Sequence, residues 1–276
     1  MPSEAIMIRK YWPGLENLEY LIVFGDSYSS VQLEYDGRPL PTETNRLGAL
    51  VPFPGTTWNE PGKPNWVGHF LSKPGVNTSL LVYDYAIGGH TVNNMRFQVL
   101  EEFVGTVNER PSCTPKDSLF VTWIGINDVL TFSDQKSSLK TLFELQEVLY
   151  RSGGARNFLF IDVPPIDRCP VFAPSAEHYQ SWNTTLREAI LTFISTHPDA
   201  TAFLFSSHDL FTRILDHPEK YGFAKSTVNK AGGCFWYDYL HPTSQVHDVL
   251  ATEMAQFLAS ESPRPVDDEE STKIMG

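Results

Sequence analysis

Three residue types that nucleophilic catalysis needs stand at opposite ends of this chain. Ser27 follows the apolar run at 20–25 after one intervening residue, Asp26, where a strand would give way to a turn. Asp238 precedes His241 by three residues, so a single turn can present both side chains. A serine nucleophile needs a base, and a histidine base needs a carboxylate that fixes its tautomer and stabilises the imidazolium. The three are candidates for one catalytic group.

Two further motifs supply groups that could bind a developing negative charge. Gly88 and Gly89 follow a second apolar run, and Asn127 with Asp128 follows a third. A bare backbone N–H and a carboxamide donor are the parts of an oxyanion hole. Each motif alone has a structural explanation, because paired glycines make turns and Ser27 or Asn127 can cap a helix. Their joint occurrence after successive strands favours catalysis.

Short apolar runs recur along the chain and predict the elements that position these residues. The runs are continuous rather than alternating, which is typical of parallel strands covered on both faces by helices. We predict strands at 20–25, 80–86, 119–125, 157–164 and 201–207, and helices at 65–72, 91–109, 139–150, 176–196 and 242–258. This alternation predicts an α/β fold, a doubly wound sandwich with its ligand crevice at the carboxyl ends of the strands.

Two segments depart from this alternation. Residues 36–63 hold prolines and glycines too close together for a regular element, so we predict a long ordered loop, a feature that is usually functional. Residues 261–276 are rich in acidic side chains, and we predict that this tail is disordered. Residues 1–260 are expected to form a single domain.

Composition and charge exclude several classes of partner and cofactor. The 276 residues carry a formal net charge of −12, which would repel nucleic acid. The three cysteines lack C-x-x-C spacing and the histidines are scattered, so we expect no disulfide framework, metal or cofactor. No apolar run approaches the roughly 18 residues of a membrane span. We expect a cytoplasmic protein, or a secreted one if a signal peptide is missing, in which case the sequons at Asn77 and Asn183 would matter.

The four motifs together resemble the blocks of the GDSL or SGNH hydrolases over residues 20–258. The matching strings are Gly25-Asp26-Ser27, Gly89, Gly125-x-Asn127-Asp128 and Asp238-x-x-His241. The resemblance implies a three-layer α/β/α sandwich with a five-stranded parallel sheet, flavodoxin-like in topology. It also implies Ser27 as nucleophile, His241 as general base and Asp238 as its orienting partner. The oxyanion donors would be the Ser27 N–H, Gly89 and Asn127.

A narrower resemblance concerns the substrate. Strings including Phe24-Gly-Asp-Ser-Tyr-Ser29 and Tyr85-Ala-Ile-Gly-Gly89 are similar to those of the fungal acetyl esterases of carbohydrate esterase family sixteen. This implies a small-molecule or oligosaccharide ester as substrate, with acetyl as the acyl group. The second block departs from the family pattern, since Asp84 stands where an asparagine is common. The choice of Gly89 over Gly88 rests on the residues that precede each.

Aromatic side chains near the strand ends or in the proline-rich loop are candidates for stacking on sugar rings, although tryptophan also fills cores. We predict substrate contacts for Trp58, Trp66, Trp123 and Trp236. Two other functions stay open beside an acetyl esterase: a lipase or thioesterase acting on longer acyl chains, and an inactive carbohydrate-binding protein. The complete set of catalytic residue types disfavours the last.

Overall fold

The computed structural model describes residues 1–32, 38–106, 114–170 and 175–263, and its centre is one six-stranded sheet. The spatial order of the strands is β1-β6-β5-β4-β2-β3, and all neighbours are parallel except β1 and β6. The strands are β1 (Glu4–Met7), β2 (Tyr20–Gly25), β3 (Leu81–Asp84), β4 (Ser118–Trp123), β5 (Asn157–Ile161) and β6 (Thr201–Phe205).

The five predicted strands are β2 to β6, and the predicted α/β sandwich is confirmed. Every residue of β4, β5 and β6 is buried, which explains why these strands read as continuous apolar runs. The antiparallel edge strand β1 was not predicted. All four of its residues are only half-buried, so its sequence lacks the apolar continuity of the central strands.

Helices flank the sheet in two groups, with α1 packed on α7 and with α4 packed on α2 and α5. The α-helices are α1 (Trp66–Phe70), α2 (Val92–Arg96), α3 (Ile126–Leu130), α4 (Gln135–Ser152), α5 (Ala176–Thr196), α6 (Ser207–Asp216) and α7 (Ser244–Ser260). A π-helix, Phe97–Val104, continues α2, so the predicted helix at 91–109 ends early, and its last predicted residues lie outside the described ones. The prediction for α5 is confirmed to the residue, whereas α3 and α6 were not predicted.

The strand order creates one place where a ligand crevice is expected. The chain proceeds from β2 to β3 on one side, and β4 then pairs on the other side of β2. Connections that leave adjacent strands in opposite directions open a crevice at their carboxyl ends. The residues after β2 and after β4 therefore face the same crevice, and these include Ser27 and Asn127.

Within the predicted loop at 36–63, residues 38–63 are described, and they contain no helix or strand beyond an isolated bridge between Thr42 and Asn45. The predicted acidic tail lies outside the described residues from 264 onward. Among the helices of the described ranges, none has both the length and the apolar character needed to cross a bilayer.

Candidate active site

The turn after β2 holds Ser27 close to the buried carboxylate of Asp26. The Asp26 carbonyl accepts hydrogen bonds from the N–H groups of Ser29 and Ser30, at 3.1 and 3.0 Å. Its side-chain Oδ1 accepts from the Tyr28 N–H at 3.0 Å. Burial raises the pKa of Asp26 to about 7, and the Tyr28 N–H partly opposes this. The turn is thus fixed from within, and Ser27 is left with a side chain directed to His241.

His241 joins the predicted nucleophile to the predicted carboxylate. Its Nε2 lies 2.9 Å from Ser27 Oγ, and its Nδ1 lies 2.8 Å from Asp238 Oδ2. The other oxygen of Asp238 accepts from the N–H groups of Leu240 and His241, both at 2.7 Å. Burial alone would raise the pKa of Asp238, but these hydrogen bonds outweigh it and hold the pKa below its usual value. Asp238 is therefore a carboxylate at neutral pH and can stabilise a positive imidazole.

A tyrosine pins the turn that carries His241 to the turn that carries Ser27. The Tyr28 hydroxyl donates to the Leu240 carbonyl at 2.7 Å, a contact between residues 212 positions apart. Tyr28 is buried, and its ring packs edge-on against Trp123 with centroids 5.3 Å apart. Sequence reasoning missed this residue, because nothing in its local sequence indicates a partner so far along the chain.

The two glycines after β3 have different surroundings. A Cβ on Gly88 would lie 2.4 Å from the indole of Trp58, so only glycine allows this close approach. Gly89 has φ of +78°, and a Cβ there would meet open space. Among the described residues, none accepts a hydrogen bond from the Gly89 N–H. These surroundings favour Gly89, rather than Gly88, as the residue whose N–H can reach a ligand.

Asn127 lies in the first turn of α3, beside the glycine pair. Its Nδ2 donates to the carbonyl of His90 at 3.0 Å. A carboxamide nitrogen carries two hydrogens, so one remains for a ligand. His90 directly follows Gly89 in the chain, and the hydrogen bond therefore brings the two predicted oxyanion donors to one side of the crevice.

Gln98 is a buried residue that ties the crevice loops to β2 and that sequence reasoning missed. Its Oε1 accepts from the Gly25 N–H at 3.0 Å, and its Nε2 donates to the Gly25 carbonyl at 2.7 Å. The same Nε2 lies 3.0 Å from His90 Nδ1. Gln98 thereby links the residue that ends β2 to the loop that holds Asn127 in place.

The departure at Asp84 has a structural reason. Its Oδ2 accepts from the Val31 N–H and its Oδ1 accepts from the Ala86 N–H, both at 2.9 Å. An asparagine has a single acceptor oxygen and would leave one of these N–H groups facing an amino group. Burial raises the pKa of Asp84 to about 7, opposed by the nearby charge of Arg38. The carboxyl group connects the loop after β2 to the loop after β3.

The four candidate tryptophans separate into one surface residue and three core residues. Trp58 is 38% exposed, and its ring stacks on His241. Trp66, Trp123 and Trp236 are completely buried, so the prediction that they contact substrate is corrected. The indole N–H of Trp66 donates to Ser29 Oγ and that of Trp123 donates to the Asp162 carbonyl, both at 3.0 Å.

This arrangement has the groups that acyl transfer requires. A hydroxyl lies within hydrogen-bond distance of an imidazole whose other nitrogen contacts a carboxylate. Backbone and carboxamide N–H groups border the same crevice. In the described ranges, no group of three or more His, Cys, Asp or Glu side chains could hold a metal ion.

Two known proteins with related sequences are named as acetylesterases. The chain is 30% identical over 269 residues to an acetylesterase of Thermothelomyces thermophilus, covering 86% of this chain and 87% of the relative. It is 22% identical to an acetylesterase of Hypocrea jecorina, with 90% of each protein covered.

Solved structures share the fold at lower identity. A variant of an acetyl-xylooligosaccharide esterase from Geobacillus Stearmophilus has a TM-score of 0.53 at 16% identity, covering 93% of this chain and 100% of that one. A GDSL-like lipase from Parabacteroides merdae has a TM-score of 0.54 at 12% identity, covering 93% and 99%. Residues 21–254 match the family model described as GDSL-like Lipase/Acylhydrolase. The chain belongs to this family and is a carboxylic ester hydrolase.

Proposed function

We propose that this hydrolase removes acetyl and other short acyl groups from carbohydrate esters through an acyl-enzyme on Ser27. The observation that carries the proposal is the position of His241, with Nε2 at 2.9 Å from Ser27 Oγ and Nδ1 at 2.8 Å from Asp238. The acetylesterase names of the two fungal relatives support acetyl as the acyl group.

Acylation begins with His241 accepting the Ser27 proton while Oγ attacks the ester carbonyl carbon. The carbonyl oxygen becomes negative and accepts hydrogen bonds from the N–H groups of Ser27 and Gly89 and from the Asn127 carboxamide. Collapse of this intermediate breaks the bond to the alcohol oxygen, and His241 returns its proton to that oxygen. Asp238 stays ionised throughout and stabilises the imidazolium.

Deacylation repeats the same steps with water as the nucleophile. His241 takes a proton from water, the resulting hydroxide attacks the acyl carbon, and the tetrahedral intermediate forms at the same donors. Its collapse returns the proton to Ser27 Oγ and releases the carboxylic acid. His241 must be neutral at the start of each half, so activity is expected to fall in acid.

A second candidate, hydrolysis of longer acyl chains, draws support from the loop at 38–63. Four large apolar side chains of this loop are between 49% and 61% exposed: Leu40, Leu50, Val51 and Phe53. Exposed apolar side chains that cluster in one segment can bind alkyl chains or lipid surfaces.

Acyl-chain length separates the two candidates. We expect nitrophenyl acetate and propionate to be hydrolysed fastest, octanoate and longer esters to be nearly inert, and an acetylated xylo-oligosaccharide to be deacetylated. Each CH₂ buried in an apolar groove contributes about 0.8 kcal/mol, so a lipase should instead gain with chain length. A rate maximum at about eight carbons or beyond would refute the short-chain proposal and establish the second candidate.

A further inference from the structure

The indole of Trp58 lies flat against the imidazole of His241. Their ring centroids are 5.4 Å apart, and the planes are inclined by 28°. Trp58 comes from the proline-rich loop and keeps 38% of its surface exposed. One part of the indole therefore covers the predicted base while another part stays at the surface of the crevice.

The backbone of Gly88 holds the indole from a second direction. A Cβ at this position would lie 2.4 Å from Cζ2 and 2.7 Å from Nε1 of Trp58, well inside van der Waals contact. Unlike Gly89, Gly88 does not have a positive φ, so its lack of a side chain serves the close approach rather than the backbone conformation. The indole thus touches both the base and the loop that carries Gly89.

The chain on either side of Trp58 is anchored by hydrogen bonds. The Thr56 N–H donates to the Val31 carbonyl at 2.8 Å. Glu60 accepts from the Ser244 N–H at 2.7 Å, at the N-terminus of α7. Because both anchors are within two residues of Trp58, the stacked position is fixed by the loop.

Polar and titratable groups face His241 from three directions, and only one of these groups is charged. Asp238 contributes a carboxylate from the same turn. From the turn after β2, Ser27 and Tyr28 contribute neutral hydroxyl groups, and the Tyr28 ring centroid lies 5.9 Å from the imidazole. From α7, His247 is buried, and burial lowers its pKa to about 3, so it is neutral at the pH where an esterase works.

We propose that Trp58 is a positioning residue that stabilises the imidazolium of His241 as it forms. This inference rests on the proposed function, in which the Ser27 proton moves to Nε2 while Oγ bonds to the ester carbon. The imidazole then carries one positive charge and the carbonyl oxygen one negative charge. An aromatic face within about 6 Å attracts a cation. Because this charge exists in the transition state and not in the ground state, the attraction accelerates the reaction.

Four variants test the role of the indole. Trp58→Phe keeps a smaller aromatic face, and Trp58→Leu keeps apolar volume without one. Gly88→Ala leaves Trp58 in the chain but forces its ring away from the stacked position. Leu191→Ala is the control, since it truncates an exposed apolar side chain on α5, outside the proline-rich loop. Thermal unfolding verifies that each variant is folded.

Two measurements are made on every variant: kcat/KM at the pH where activity has reached its plateau, and the NMR titration of the His241 ring. NMR is needed because burial raises the pKa of Asp26 to about 7, which can add a second step to the pH–rate profile. Trp58→Leu should lower kcat/KM about two- to thirtyfold, through kcat. Its His241 titration should move to lower pH, because protonation loses the aromatic partner.

The remaining variants set the limits of the inference. Trp58→Phe should fall between the wild type and Trp58→Leu, Gly88→Ala should shift both measurements in the same direction as Trp58→Leu, and Leu191→Ala should shift neither. A titration that stays in place or moves to higher pH, or a loss confined to KM, would overturn the role assigned to Trp58. Full activity in Ser27→Ala would refute the proposed function itself, and that result is independent of the Trp58 titrations.

Discussion

Two Ser–His–Asp arrays with nearly equal distances exist in this molecule. One set, here named the active-site array because the proposed mechanism uses it, consists of Ser27, His241 and Asp238, with contacts of 2.9 and 2.8 Å. A second set, here named the helix array, consists of Ser244, His69 and Asp248, with His69 Nε2 at 2.9 Å from the serine oxygen and Nδ1 at 3.0 Å from the aspartate oxygen. Distances between these side chains do not distinguish the two arrays.

The hydroxyl groups differ in where their protons can go. Ser244 Oγ has a second acceptor, the Pro64 carbonyl, at 2.7 Å. Ser27 Oγ contacts His241, and no other acceptor contacts it among the described residues. Asp248 is in turn shared between His69 and the ammonium group of Lys73. The helix array therefore has the residue types of a catalytic triad, but its serine and aspartate are bound to further groups that hold the fold together.

The positions of the arrays differ as well. The helix array joins α1 to α7, two helices that pack on each other. The active-site array stands on turns at the carboxyl end of the sheet, beside Gly89 and Asn127. A nucleophile needs a hydroxyl whose only acceptor is the base, and it needs donors for the negative charge that its attack creates. Of the two arrays, only the active-site array combines both within the described ranges.

The two serines provide the largest expected contrast. Ser27→Ala should lower kcat on nitrophenyl acetate on the order of 10³-fold or more, because the remaining activity comes from the oxyanion donors alone. Ser244→Ala should change kcat by less than about threefold, since its hydroxyl contacts a carbonyl inside the protein. A phosphonate ester that traps active serines should label the parent at Ser27. If folded Ser27→Ala and Ser244→Ala lost activity equally, or if the phosphonate labelled Ser244, the nucleophile would not be assigned to Ser27 alone.

Asn127→Ala tests whether donors to the oxyanion set the active-site array apart. Removing one such donor typically costs about 2.7 to 4 kcal/mol in kcat, with little change in KM. Thr131→Ala is a suitable control, because it removes a hydroxyl that donates to the Asn127 carbonyl at 2.7 Å and leaves the carboxamide in place. Steady-state kinetics on an acetyl ester measure both constants. A raised KM with unchanged kcat would assign Asn127 to ground-state binding.

The comparison also shows how far sequence can predict this molecule. The five parallel strands were predictable because burial on both faces leaves continuous apolar runs, whereas β1 is short, half-buried and at an edge. Ser27 was predicted from its place after β2, Asp238 and His241 were predicted from their spacing just ahead of the last helix, and the structure brings the three side chains together. The stack of Trp58 on His241 was not, because local spacing does not reveal the path of a loop without secondary structure. Trp123 ends β4 and Trp66 begins α1, yet both side chains are completely buried in the core.

The helix array should affect stability rather than activity, in a way that depends on pH. Burial lowers the pKa of His69, aided by Lys73 and opposed by Asp248. The folded protein thus favours neutral His69, and this contribution is present above the unfolded pKa of about 6.5 and is lost as pH falls below it. His69→Gln should cost about 1–3 kcal/mol of unfolding free energy at about pH 8 and less at about pH 5.

Urea unfolding of the wild type and of His69→Gln at both pH values measures the cost of the substitution in unfolding free energy. Groups that titrate equally in the two proteins cancel when one free energy is subtracted from the other. His217→Gln, at an exposed histidine, is the matched control and should show no such change. The activity of His69→Gln should remain close to that of the wild type. A cost that grows toward acid pH would mean that the fold stabilises the protonated ring.

The smallest expected effect concerns the hydrogen bond that holds the active-site array together. Tyr28→Phe removes the hydroxyl that donates to the Leu240 carbonyl at 2.7 Å and keeps the ring packed on Trp123. Losing one such bond costs about 0.5–1.5 kcal/mol, so kcat should fall about two- to tenfold if the turn carrying His241 loosens. The helix array has no contact with this hydroxyl, so the pH dependence assigned to His69 should persist.

Tyr150→Phe is the control, because its hydroxyl contacts Asp199 just before β6, at the amino end of the sheet. Both variants should be less stable than the wild type, but only Tyr28→Phe should have a lower kcat. An equal kcat in the two variants would mean that Tyr28 stabilises the core and does not position His241.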